Sequence, residues 1–125
     1  MAALPEEVIE AWDNRKGPAI FGTVDPDGTP NVVYVGCLGR RGDDTLVVAD
    51  NYFDKTRRNI RNGSKGSFLF MGAEGGCYQV KGSLEYHTEG PVFDDMKDWN
   101  PEKHPGHAAV ALKVEAVYSG ADKLA

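Results

Sequence analysis

The sequence has few of the residues that make a chemistry obvious. Its two cysteines, Cys37 and Cys77, fit neither a metal-ligand spacing nor a redox dipeptide. That excludes a thiolate metal centre and a thioredoxin-like motif, and in a reducing compartment both are expected as buried thiols packing like small hydrophobes. Three histidines, His87, His104 and His107, do not share the spacing of ligands on one regular element, so they read as solvated loop side chains and no metal is expected. No apolar run approaches the ~20 residues that cross a bilayer. The acidic, amphipathic start Leu4-Pro5-Glu6-Glu7-Val8-Ile9-Glu10-Ala11-Trp12 is unlike a signal peptide. The cytoplasm is the expected location, with no membrane partner. Positive charge is short as well: 14 Lys and Arg stand against 19 Asp and Glu, a formal net charge of −5. Binding nucleic acid takes a broad basic surface that displaces counterions, so no such partner is expected. Nucleophile elbow, dinucleotide fingerprint and paired carboxylates are all missing.

What is present points to strands. With 125 residues, one domain is expected, and fifteen glycines among short β-branched and aromatic runs favour tight turns over a helical bundle. Pro5 opens a short helix whose Val8, Ile9 and Trp12 share one face. Strands follow at 18–24 and 31–37, joined through the turn Asp25-Pro26-Asp27-Gly28. Arg40 to Asp44 reads as a turn, and Thr45 to Ala49 as the third strand. A helix is expected over Lys55–Arg61, ended by Asn62-Gly63. Ser67 to Met71 is continuously apolar, which predicts a strand buried on both faces. Cys77 to Tyr86 is the next strand, where Gly82 marks a bulge or a close backbone approach. A second helical segment, 92–98, precedes a last strand, 108–118, with Val110, Leu112, Val114 and Ala116 on one side. The fold class is therefore mainly β: a six-stranded antiparallel barrel with two or three short helices. Trp12 and Trp99 read as packing residues.

One stretch reverses the sign of the chain. Five of the fourteen Lys and Arg residues lie between Lys55 and Lys65, with no Asp or Glu among them, directly after the third strand. The first N–H groups of a helix have no intrahelical partner, so a strand end followed by a helix opening suits an anion. Lys55 adds a charge and Thr56 a hydroxyl donor, and Arg57 or Arg58 reinforces them. The reading is a phosphate site for a small cofactor; the alternative is a solvated basic helix face capped by Asp54.

The order of elements and motifs resembles the flavin-binding split barrels of the pyridoxamine 5′-phosphate oxidase-like superfamily, and within it the small FMN-binding proteins of anaerobic bacteria. The resemblance rests on the hairpin around Asp27-Gly28, on Lys55-Thr56-x-x-Asn59-Ile60, and on Val80-Lys81-Gly82-Ser83 leading into Tyr86-x-Thr88-x-Gly90-Pro91-x-Phe93. It implies a Greek-key split barrel and a homodimer with one FMN per chain at the subunit interface. Lys55 and Thr56 match positions that contact the FMN phosphate. Asp50, Asn51 and Tyr52 match contacts near the phosphate and ribityl chain. Val33, Tyr34 and Val35 match the strand along the isoalloxazine ring. Two departures stand out: the Arg that many oxidases carry at the start of the ring-facing strand has no counterpart, and Val33 and Val35 replace the Asn and Trp common in the small proteins. A more apolar ring environment follows. The implied function is redox chemistry, as electron transfer or as an FMN-dependent oxidoreductase of flavin-reductase type. The alternative is FMN storage or sensing without turnover. Pyridoxamine phosphate oxidation itself is disfavoured, since the basic substrate-phosphate residues of the full-length oxidases are missing.

Overall fold

A computed structural model describes residues 2–125. In chain order it contains α1 (Glu6–Asp13), β1 (Ala19–Val24), β2 (Pro30–Val35), β3 (Leu38–Arg41), β4 (Thr45–Asp50) and α2 (Lys55–Arg61). Then come β5 (Gly66–Met71), β6 (Cys77–His87), α3 (Pro91–Trp99), β7 (Ala108–Ser119) and β8 (Asp122–Lys123). All pairings are antiparallel, in the order β2-β1-β5-β6-β7-β4-β3, with β8 added to β7. Strands β4 to β7 lie in space as β4-β7-β6-β5, a Greek-key order. The sheet curls into a split barrel that does not close: β2 and β3 remain edges.

Each of the six expected strands is present, and two more join them. Arg40 and Arg41, expected in a turn, belong to β3, which pairs with β4 from Leu38↔Val48 to Arg41↔Thr45. The strand is short and charged, and its partner creates it. Arg40 bonds Asp13 (2.7 Å) and Arg41 bonds Asp95, so both guanidinium groups tie the edge to helices.

The main core gathers Trp12, Phe21, Phe68, Leu46, Val80, Val110, Leu112, Val114 and Val117, all essentially without solvent exposure. Trp12 of α1 packs edge-on against Phe68 and Phe70 and donates its indole N–H to Gly39 O at 3.1 Å. Gly82 does mark a bulge: the β6–β7 register shifts between Lys81 and Gly82. A Cβ at Gly82 would lie 2.0 Å from Lys113 O, so only glycine admits this approach. The shift moves the buried side of β7 from Val114 to Val117, and Ala116, expected to follow Val114 inward, is only half-buried.

Two burial expectations are corrected. β5 alternates, with Phe68 and Phe70 inward and Leu69 (45%) and Met71 (59%) exposed. Cys77 is likewise exposed and Cys37 half-buried. Leu69, Met71 and Cys77 share the outer face of the sheet with Ile20, Val32 and Tyr34, and nothing in the single chain covers that face.

Candidate functional site

The groove of interest opens where the barrel fails to close. Its volume is about 350 Å³, and its lining comes from β2 and the residues just after it, from the end of β4, from the turn into α2 and from the loop after α3. Valines, Ala49, Cys37 and Phe53 make its walls apolar, with Asn51, Thr56, Tyr52 and His104 as the polar groups. Flat, mostly apolar walls with a few placed polar groups suit an aromatic ring system. β2 pairs only with β1, so every second N–H and C=O along it lacks a strand partner, which leaves backbone groups for a ring's polar edge.

Six of the eight residues singled out in the sequence meet at this groove: Val33, Tyr34, Val35, Asn51, Tyr52 and Thr56. Val33 and Val35 turn inward onto the core, while Tyr34 points out and is 77% exposed. Thr56 is buried and receives a hydrogen bond from Asn31 Nδ2 at 2.9 Å. Lys55, on the first turn of α2, is exposed. Asp50 is fully buried and does not line the groove.

Asp50 is instead the anchor of the turn. It accepts from Arg57 Nε and Nη2 (2.7 and 3.0 Å), from the Tyr86 hydroxyl (2.6 Å) and from the Phe53 N–H (3.1 Å). Burial alone pushes its carboxyl up; the Arg57 guanidinium, the Tyr86 hydroxyl and the Phe53 amide more than offset this, and the pKa lies below its ordinary value. Arg57 is raised in return, chiefly by its bonds to Asp50. This pairing removes Arg57 from the cations expected to face a phosphate. Lys55 and Arg58 have no acidic partner among the described residues. Asp54 precedes α2 but its side chain makes no capping bond.

Sequence reasoning missed several lining residues. Cys37 and Phe53 sit beside stretches already singled out, and Val48 and Ala49 belong to the run read only as the third strand. His104 was expected in solvent. It lies at the groove with its Nδ1 3.1 Å from the Tyr52 hydroxyl, the rings edge to face at 5.5 Å.

The sequence profile of the family described as pyridoxamine 5′-phosphate oxidase matches residues 5–120. The chain belongs to the pyridoxamine 5′-phosphate oxidase family. The likeness carried by the Lys55-Thr56 and Tyr86-to-Phe93 motifs therefore holds across nearly the whole sequence. An uncharacterized protein of Methanocaldococcus jannaschii is 27% identical over 124 residues, covering 93% of this chain and 80% of that one. Among solved structures, Group A Streptococcus HupZ is 27% identical, with a TM-score of 0.80 and 93% of each chain covered. An FMN-binding protein from Syntrophomonas wolfei is 22% identical, with a TM-score of 0.76 over 93% of this chain and 82% of that one, and shares the family's fold.

Proposed function

We propose that this member of the oxidase family binds FMN in the groove between β2 and the β4–α2 turn, at the interface of a homodimer, and works in redox chemistry. When bound, FMN supplies the capacity to accept and pass on hydride or electrons. The chain's own residues hold and orient it. Thr56 and Lys55 hold the phosphate at the foot of the groove, and Asn51 and Tyr52 border the ribityl chain. The edge of β2 from Val33 to Val35, facing Val48 and Ala49, keeps water from one face of the ring.

One observation carries the reading. A buried threonine hydroxyl with its proton uncommitted lines an apolar slot, and the residue before it in sequence, Lys55, is exposed with no acidic partner among the described residues. A phosphate on a flat ring system complements that polarity. The anchored Asp50 does not oppose it, because Arg57 neutralises the carboxylate.

Tyr34 supports the dimer. It lines this groove and also a second, apolar groove of about 380 Å³ with Ile20, Leu69, Met71 and Cys77 on the outer face of the sheet. A second copy covering that face buries Leu69 and Met71 and closes over the open side of the flavin slot. Contiguous exposed apolar patches are a common mark of interaction surfaces.

The test is direct. Purified protein is incubated with FMN, freed of excess, and its visible spectrum recorded. About one flavin per chain is expected; colourless protein overturns the reading. Reoxidation of the photoreduced protein by oxygen, cytochrome and NAD(P)⁺ then separates redox work from storage, for which every reaction is slow.

A further inference from the structure

We infer that Asn31 is a positioning residue for the phosphate end of the site: its side-chain amide donates to the Thr56 hydroxyl oxygen, makes no claim on the hydroxyl proton, and so leaves that proton free to be offered. The inference rests on the FMN reading and concerns a residue outside the groove lining. Asn31 stands at the start of β2, half-buried, and is not among the residues that face the slot.

Its Nδ2 donates to two hydroxyl oxygens, Thr56 Oγ1 at 2.9 Å and Thr23 Oγ1 at 3.1 Å. An amide nitrogen carries two hydrogens, and these two bonds engage both. Thr23 is held in turn by Asn59 Nδ2 at 3.0 Å, and Asn59 also donates to Asp25 Oδ1 at 2.7 Å. Five side chains from β1, the hairpin turn, β2 and α2 thus form one hydrogen-bonded chain that ends at Thr56. Such a chain fixes the Asn31 amide at its Thr23 end, so the bond to Thr56 is not that of a freely turning side chain.

The consequence is a matter of donor and acceptor accounting. A threonine hydroxyl has one proton and two lone pairs, and rotates to suit its surroundings. At Thr56 one lone pair is occupied, the side chain is 2% exposed, and no group among the described residues accepts the proton. A phosphate of FMN accepts only. A hydroxyl whose proton no protein group claims can therefore give it to the phosphate without breaking another bond, and a bond to a charged oxygen is the stronger kind. With Asn31 reversed, the carbonyl would take the Thr56 proton and present the phosphate with a lone pair. Asn31 acts through Thr56, as a switch of hydroxyl polarity.

The experiment titrates FMN and riboflavin, which lacks the phosphate, against wild type, Asn31→Ala, Thr56→Val and the double variant, following quenching of flavin fluorescence. Asn31→Ala is expected to weaken FMN by roughly fivefold to tenfold, leave riboflavin affinity unchanged, and add nothing in the Thr56→Val background. Asn31→Asp keeps the shape but presents only acceptors, and is expected to lower the ratio of FMN to riboflavin affinity further; it carries the test if Asn31→Ala fails to fold. Wild-type FMN affinity in Asn31→Ala, equal losses for both flavins, or an equal loss in the Thr56→Val background overturns the role of Asn31. Wild type that binds FMN no tighter than riboflavin, or Thr56→Val without effect, overturns the phosphate site itself, and the inference with it.

Discussion

Asn51 and Asn100 exchange side-chain hydrogen bonds in both directions, at 3.1 and 2.9 Å, across 49 residues of sequence. Asn51 Oδ1 also accepts the Gly106 N–H at 2.9 Å, and the His107 N–H reaches Asp50 O at 2.8 Å. The stretch from Asn100 to His107 is therefore fastened at both ends to the turn that opens α2, and His104 is carried to the groove by that fastening.

Breaking the pair has a measurable cost. Asn51→Ala or Asn100→Ala leaves one buried amide unmatched and is expected to lower stability by about 1–3 kcal/mol in urea unfolding. The double variant should lose less than the sum of the two. Full additivity would show that the two amides do not act as a pair.

Acid should find Asp50. A carboxyl whose pKa in the folded chain lies below its unfolded value of about 3.9 contributes stability that is fully present above that value. The contribution is lost as pH falls through the folded value. Asp50→Asn is expected to be less stable near neutral pH by about 2–4 kcal/mol, since Arg57 loses its partner. Its stability should also fall less steeply as the pH drops below about 4. An unchanged acid slope in the variant would remove Asp50 from the set of stabilising carboxylates.

Lys55→Ala removes one charge-assisted contact from the proposed phosphate site. FMN affinity is expected to drop about tenfold with riboflavin affinity unaffected, and the variant should respond less to added salt than wild type. Identical FMN isotherms for the two proteins would place Lys55 outside the site.

The outer sheet face makes its own prediction. Leu69→Asp puts a charge at the centre of the proposed dimer contact, and sedimentation should shift from the dimer toward the 13.6 kDa chain. Flavin retention on dilution should fall with it. A variant that stays dimeric and keeps its flavin would mean the copies meet elsewhere.

Gly82→Ala tests the bulge. A methyl group 2.0 Å from Lys113 O meets backbone, which cannot swing aside as a side chain does. A loss of more than about 3 kcal/mol or failure to fold is expected. A melting curve like wild type would show that β6 and β7 can part at no cost.

Much of this architecture was legible in the chain because its punctuation is local. Asn62-Gly63 ends α2 after Arg61, as expected from the sequence, and the helix begins at Lys55 although the Asp54 side chain does not cap it. Gly82 announced the irregularity in β6 for the same reason. β3 was not legible: Leu38-Gly39-Arg40-Arg41 has no strand pattern of its own and acquires one only by pairing with the buried β4. The apolar run of β5 misled because periodicity reports what a residue prefers and not whether a second layer is there to meet it. The bonds of Asn31, Thr23 and Asn59 had no signal, although Asn59 stands in the Lys55-Thr56-x-x-Asn59-Ile60 motif, since they join residues 8 to 36 positions apart.

The seam between β2 and β3 has a practical side. Unpaired strand edges are templates for other strands, and β2 carries Val32 and Tyr34 outward along such an edge. With the proposed flavin absent, that edge goes bare into every concentrated solution. Turbidity on storage should therefore follow how empty the preparation is, and supplementing the buffer with flavin is the remedy the architecture recommends.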